Sequence, residues 1–192
     1  VVGDHLGSPV TGLASLSDTE HYALTTGHLY KLVGDTWAEA GPGGIGLVVK
    51  FAFDIWVLQT NGVQHYDGSE WNLTQLPPAT LTAIASAGAG DLSSLWVVGT
   101  DGYGFHWMNG TWTPHSWSAD DNAPDLSRVA INQNGDAEIL TTHGRRFTLT
   151  QSGVWSEINI PSELVPTNLF IDDQNTVWLT GPDGYIATEV NP

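Results

Sequence analysis

The residues best suited to chemistry gather in one stretch, HSWSADDNAPD, from His115 to Asp125. Asp120, Asp121, Asn122 and Asp125 offer hard oxygen ligands within one short run, a set that suits calcium. The glycine and distal glutamate of an EF-hand are missing, so a plain solvated acidic loop stands beside the calcium reading. Trp117 and His115 adjoin these carboxylates. An exposed indole is what stacks on the C–H face of a pyranose, and Trp117 is read here as a ligand contact. Its other reading is core, because it follows Trp112 as Leu76 follows Trp71 and Ile160 follows Trp155.

Other constellations carry less. His65 and His106 fall at equivalent repeat positions, but a zinc site needs further convergent ligands. Arg145-Arg146 could grip a partner's carboxylate through the planar guanidinium fork, or neutralise local charge. Asn72-Leu73-Thr74 and Asn109-Gly110-Thr111 match the glycosylation sequon. "DDQN" at Asp172 and "NQNGD" at Asn132 read as turns in which Asx side chains cap the backbone. No G-x-S-x-G elbow, H-E-x-x-H helix or phosphate-cradling loop occurs, so no enzyme activity is expected.

Composition narrows the classes further. The 192 residues suit one ordinary domain or one closed repeat array, and 41% apolar content is enough for a core. Five basic against 21 acidic residues leave a formal charge of −16, which argues against nucleic acid and against docking on anionic lipid. With no cysteine, a disulfide framework, a thiolate metal site and a cysteine nucleophile are excluded. No apolar run approaches a membrane span. The start at Val1 without methionine reads as a processed product or a segment of something longer.

The elements that must position these residues repeat. "HYALTTGHLYKLVGDTW" from His21 recurs as "DIWVLQTNGVQHYDGSEW" from Asp54 and "LWVVGTDGYGFHWMNGTW" from Leu95. It returns as "AEILTTHGRRFTLTQSGVW" from Ala137 and "VWLTGPDGYIATEV" from Val177. Equivalent points lie roughly 35 to 43 residues apart, the period of propeller blades. Each unit reads as strand, turn, strand, turn, strand, because Asn-Gly and Asp-Gly supply the positive φ of tight hairpin turns. One more β-rich run precedes each unit, giving four strands. Helical periodicity is absent.

The expected fold is therefore all-β: a five-bladed β-propeller of four-stranded antiparallel blades in a single domain, 1–192. The blades run approximately 11–43, 44–78, 79–122, 123–164, and 165–192 plus 1–10. The last is expected to be closed by residues near Val1–Leu6 as its outer strand, removing open edges. An open fragment of a larger ring is the rival. Trp37, Trp71, Trp112 and Trp155 share one repeat position and Trp56, Trp96 and Trp178 another. Packed between blades, each removes apolar area worth on the order of 2–3 kcal/mol.

"DIWVLQTNGVQHYDGSEW" and "LWVVGTDGYGFHWMNGTW" resemble the D-x-W-x-V-G … G-x-x-x-H-Y-D-G-x-x-W repeat of bacterial extracellular propellers, a pattern similar to tectonin-type lectin repeats. "FIDDQNTVWLTGPDGYI" resembles the repeat of sensor-kinase periplasmic propellers. The first and fourth units depart from the pattern, with His21-Tyr22 and Glu138 where tryptophan is expected. The resemblance implies an extracellular or cell-surface binding module and carries over no catalytic residue.

In such a fold the loop after the outer strand shares a face with the first-hairpin turns. Trp117, His115, Asp101, Tyr103 and Asn61 are accordingly expected to bind ligand there. Asp120, Asp121 and Asp125 are the calcium candidates, and no other cofactor is expected. The leading function is non-enzymatic recognition of a glycan or a protein surface ligand. The alternative is a structural or decorating subunit of a surface or virion assembly, acting through protein–protein contacts.

Overall fold

The computed structural model describes residues 6–86, 94–117, 123–161 and 163–190. The chain forms consecutive antiparallel meanders, as the repeats predict. The first holds β1 (Val10–Ser17), β2 (Glu20–Thr25), β3 (His28–Val33) and β4 (Thr36–Pro42). The second holds β5 (Gly46–Phe51), β6 (Asp54–Gln59), β7 (Gly62–Tyr66) and β8 (Trp71–Gln75). The third holds β9 (Leu81–Ser86), β10 (Leu95–Gly99), β11 (Tyr103–Met108) and β12 (Thr111–Ser116). The fourth holds β13 (Leu126–Ile131), β14 (Ala137–Thr141), β15 (Arg146–Leu149) and β16 (Trp155–Ile158). The fifth pairs β17 (Asn168–Ile171), β18 (Thr176–Thr180) and β19 (Ile186–Val190).

This is the architecture of a five-bladed β-propeller. Four sheets have four strands, and the fifth has three among the described residues. The β18–β19 connection differs from a two-residue hairpin: Pro182–Gly184 make one 3₁₀ turn, with proline preset for its first turn. The proposed closing strand falls mainly on residues 1–5, which lie outside the described residues.

Two compact units divide the chain, Val1–Leu81 and Thr82–Pro192. In the first, Tyr22, Leu24 and Leu29 of one blade pack against Ile55 and Val57 of the next, with Trp71 at the margin. In the second, Trp96 and Val98 pack against Ile139, Phe147 and Leu149, with Trp117 and Trp155 partly buried against them. Leu140 then meets Leu169, Val177 and Leu179. Within each unit a twisted sheet thus covers its apolar face with the sheet that follows it there, which removes that face from water.

Hydroxyls pin these seams. Thr11 Oγ1 lies 3.0 Å from the Gly44 carbonyl, and Thr82 Oγ1 lies 2.6 Å from that of Leu126. In each case a side chain on an inner strand reaches the backbone of the next blade. Tryptophan and histidine make a second recurring device. Trp56 stacks on His65 at 3.7 Å between centroids and Trp96 on His106 at 4.3 Å, each pair directly opposed across two strands. His65 Nε2 lies 2.9 Å from Asp54 Oδ1, and His106 Nε2 lies 3.0 Å from Ser94 Oγ. Both histidines therefore have structural partners.

Candidate functional site

The two blade ends of the second unit differ in what they can hold. At the β10–β11 turn, Asp101 adopts φ 56°. Its backbone N–H donates to Asp125 Oδ1 at 3.2 Å, and the Gly102 N–H donates to the Pro124 carbonyl at 2.8 Å. The Trp117 N–H closes the turn on the Gly102 carbonyl at 3.0 Å. The structure thus brings Asp101, Trp117 and Asp125 together. Tyr103 follows directly, its ring stacked along the strand on Phe105 at 6.2 Å.

Two of these aromatics have packing roles. Trp117 is half-buried and meets Phe147 and Trp155 edge-on, at 4.9 and 5.5 Å. His115 faces Trp96 at 5.4 Å, and its buried Nε2 has no hydrogen-bond partner among the described residues. Burial pushes its pKa down, because the imidazolium loses hydration, so the ring is neutral near neutral pH. Asp125 is exposed, while Asp120 and Asp121 lie outside the described residues. Among the described residues no group of three or more His, Asp or Glu side chains converges for a metal ion.

Asn61 belongs to the first unit. It sits at the β6–β7 turn, where its carbonyl accepts from the Leu76 N–H at 3.3 Å. With Thr60, Gln75 and the Pro77–Pro78 pair it lines a shallow groove of about 380 Å³.

A larger concavity, about 720 Å³, opens in the second unit between the inner strands β9, β13 and β17. It takes in Ile131, Asn132 and Gln133 together with Asp172, Asp173 and Asn175, at the connections leading into β14 and β18. Asp125 lies at the other end of β14, where its carbonyl accepts from the Thr142 N–H at 2.9 Å. The cleft is therefore at the opposite end of the strands from Asp125, and none of its lining residues is among the ligand contacts expected from the sequence.

Its wall is built from Asx turns. Asn132 Oδ1 accepts from the N–H groups of Asn134 and Asp136 at 3.0 and 3.1 Å. Asp172 Oδ1 accepts from Gln174 and Thr176 at 3.0 and 2.9 Å, and its Oδ2 from the Trp178 indole at 2.8 Å. These donors, the indole first, hold the Asp172 carboxyl below the usual carboxylate range and keep it charged. Asn175, at φ 63° in the left-handed region, reaches to the fourth blade: its Oδ1 accepts from the Gln133 N–H at 3.0 Å. The floor is largely aliphatic, and Phe170 stands 56% exposed beside it.

Behind the cleft lies a polar core that the sequence did not announce. Glu138 and Thr148 occupy the places held by tryptophan and histidine in the second and third blades. Thr148 Oγ1 donates to Glu138 Oε1 at 3.1 Å, and Arg146 Nε donates to Oε2 at 3.0 Å. Arg146, 1% exposed, also donates through Nη1 to Glu189 Oε2 of the fifth blade at 2.6 Å. Burial is the largest influence on Glu138 and pushes its carboxyl up, against the pull of Arg146. Arg145 pairs with Glu157 at 2.9 Å on the surface. Both arginines thus serve charges within the chain. The signal was the charged pair beside a strand that lacks its tryptophan.

No protein-family model matches the chain, and no curated protein matches it by sequence. Solved structures do match. Virginiamycin B lyase from Staphylococcus aureus superposes with a TM-score of 0.72 at 15% identity, covering 96% of this chain and 71% of that one. YCF48, solved bound to D1 peptide, gives 0.73 at 16%, covering 100% and 67%. The extracellular domain of a protein assigned as a hybrid two-component system, BT3049 from B. thetaiotaomicron, gives 0.67 at 12%, covering 93% and 26%. At such identities the likeness is one of fold, shared by a lyase, a peptide-bound protein and an extracellular domain. Within the described residues no helix is long and apolar enough to cross a membrane.

Proposed function

We propose that this chain is a non-enzymatic recognition module whose surface ligand, a protein segment or a glycan, seats in the cleft between β9, β13 and β17. The observation that carries the reading is the cleft itself: an open concavity of about 720 Å³ with an aliphatic floor and a wall of asparagine, glutamine and aspartate side chains. Its chemistry is that of binding. Of the two carboxylates lining it, Asp172 is committed to three donors of its own blade and Asp173 is exposed. The similarity to a peptide-bound protein and to an extracellular domain supports recognition of a partner outside the cell. The tectonin-like repeat keeps a glycan among the ligands to be tried.

The test offers a glycan array and a displayed random peptide library to wild type and to Ser86→Trp, whose indole fills the cleft from the end of β9. Ligand retained by wild type and lost by Ser86→Trp is expected. Retention by both proteins alike would remove the cleft from the reading.

A second reading, a subunit of a surface assembly, draws on β19. Among the described residues it is the edge of its sheet, and it carries the exposed Ile186. Light scattering over a rising concentration series checks it. Association abolished by Ile186→Lys supports assembly, and a monomer throughout sinks it.

A further inference from the structure

We infer that the cleft between β9, β13 and β17 takes an extended polypeptide segment bearing a lysine or arginine beside an apolar side chain. The inference rests on the recognition reading above and adds the ligand's chemistry.

Backbone complementarity comes first. β9, β13 and β17 each stand last in their sheets, so among the described residues one edge of each has no ladder partner. Three such edges converging on one concavity offer N–H and C=O groups that an extended peptide matches with its own backbone.

Asn175 supplies a directed donor. Its Oδ1 must face the Gln133 N–H, which fixes the orientation of the carboxamide. The two Nδ2 protons are left over, and among the described residues nothing accepts from them. The side chain is held in place, since Asn175 is only 7% exposed, and it lines the cleft. A ligand carbonyl satisfies this donor; an aliphatic ligand leaves it unmade.

Charge chooses the side chain. Among the described residues none that lines the cleft is basic, whereas Asp172 is held ionised and Asp173 is exposed at the rim. Arg128, on the same inner strand, turns its Nη1 onto the Ser127 carbonyl at 2.8 Å, toward the far end of β13. The formal charge of −16 adds a long-range field of the same sign. A cation is therefore drawn to the rim, and the Phe170 ring beside it accepts either a cation over its face or an apolar neighbour. The aliphatic side chains of the floor take the apolar residue of such a segment.

The experiment selects a random displayed peptide library on the immobilised full chain, with counter-selection on Ser86→Trp. Enriched sequences are expected to carry Lys or Arg next to an aliphatic or aromatic residue. One such peptide is then synthesised with the basic residue replaced by norleucine, and binding is read by fluorescence polarisation at low and moderate salt. Wild type should bind the norleucine peptide several-fold more weakly, by a factor that shrinks as salt rises. Asp173→Asn should weaken the basic peptide up to about fivefold, the range of an exposed ion pair. Phe170→Ala should weaken it by about tenfold. Both substituted residues are exposed, and near-UV circular dichroism checks that the fold is kept.

Enrichment of acidic or neutral sequences, or equal binding of the norleucine peptide, overturns the inference. If peptides fail while a glycan is retained in a Ser86→Trp-sensitive way, recognition at the cleft stands and the polypeptide ligand falls. If no ligand of either kind responds to Ser86→Trp, both fall.

Discussion

Glu138 and Arg146 show how one position can be filled by opposite chemistries. In the second and third blades the place is held by an indole stacked on imidazole; in the fourth it holds Glu138 opposite Thr148, with the nearby Arg146 guanidinium as the carboxylate's partner. Removing one partner of a buried ion pair strands the other. Arg146→Met should therefore cost about 3–5 kcal/mol in chemical denaturation near pH 7. Glu138→Leu combined with Arg146→Met should cost far less, because no buried charge remains. The pH dependence has a definite sign. The folded pKa of Glu138 is raised, so its contribution is full below the unfolded pKa and is lost as pH rises through the folded one. Arg146→Met raises that pKa further, so its penalty should be smaller at about pH 4 than at about pH 7. A penalty independent of pH would mean that water reaches Glu138. Asp67 titrates the other way. Hydrogen bonds from the Ser69 hydroxyl and from the Glu70 and Ser69 N–H groups hold its pKa down to about 2, from an ordinary 3.8. Its contribution is present above the unfolded pKa and disappears as pH falls toward 2. The stability gap between wild type and Asp67→Asn, followed by acid titration, should close across that window and stay constant above it.

Turns and strands were the most legible part of the chain, for a physical reason. A hairpin turn needs positive φ at defined positions, and few residue types adopt it cheaply, so Asp101-Gly102 and Asn109-Gly110 announce themselves. All four of those residues have φ between 53° and 82°. What the turn residues do not announce is what surrounds them. A Cβ on Gly110 meets open space, whereas one on Gly102 lies 2.4 Å from the Trp117 Cβ. Gly110→Ala should cost about 1 kcal/mol, the strain of a left-handed alanine. Gly102→Ala should cost clearly more and shift Trp117 fluorescence, because the displaced indole leaves Phe147 and Trp155. Equal costs would show that the 115–117 segment yields freely. The cleft was illegible on the same grounds. It depends on Asn175 bonding to Gln133 across two blades and on Phe170 standing clear of the core. Neither the register between blades nor the exposure of one phenylalanine leaves a local pattern. The loop at His115 drew attention because its side chains are chemically conspicuous, yet His115 and Trp117 are engaged in packing and two of its carboxylates lie outside the described residues.

For the molecule as a whole, electrostatics sets the response to salt. Attractive pairs are few: Lys31 with Glu20, His65 with Asp54, Arg145 with Glu157, and the buried Arg146 group are the main ones among the described residues. Against them stands the mutual repulsion expressed by a formal charge of −16. Salt weakens both, but exposed pairs contribute at most about 1 kcal/mol each, while repulsion acts over the entire surface. Screening range falls from about 30 Å at 0.01 M to about 8 Å near 0.15 M, so distant repulsions are lost and close pairs survive. The thermal midpoint should therefore rise with sodium chloride over that range. A fall would show that surface pairs outweigh the field. Calcium chloride at matched ionic strength separates screening from a specific site. If Asp120, Asp121 and Asp125 hold calcium, the midpoint rises beyond the sodium value, and Asp125→Asn removes only that excess. Coincident sodium and calcium curves would leave the acidic loop as solvated charge, and would place the −16 field as a whole, rather than any one carboxylate cluster, in the role of drawing a cationic ligand toward the blades.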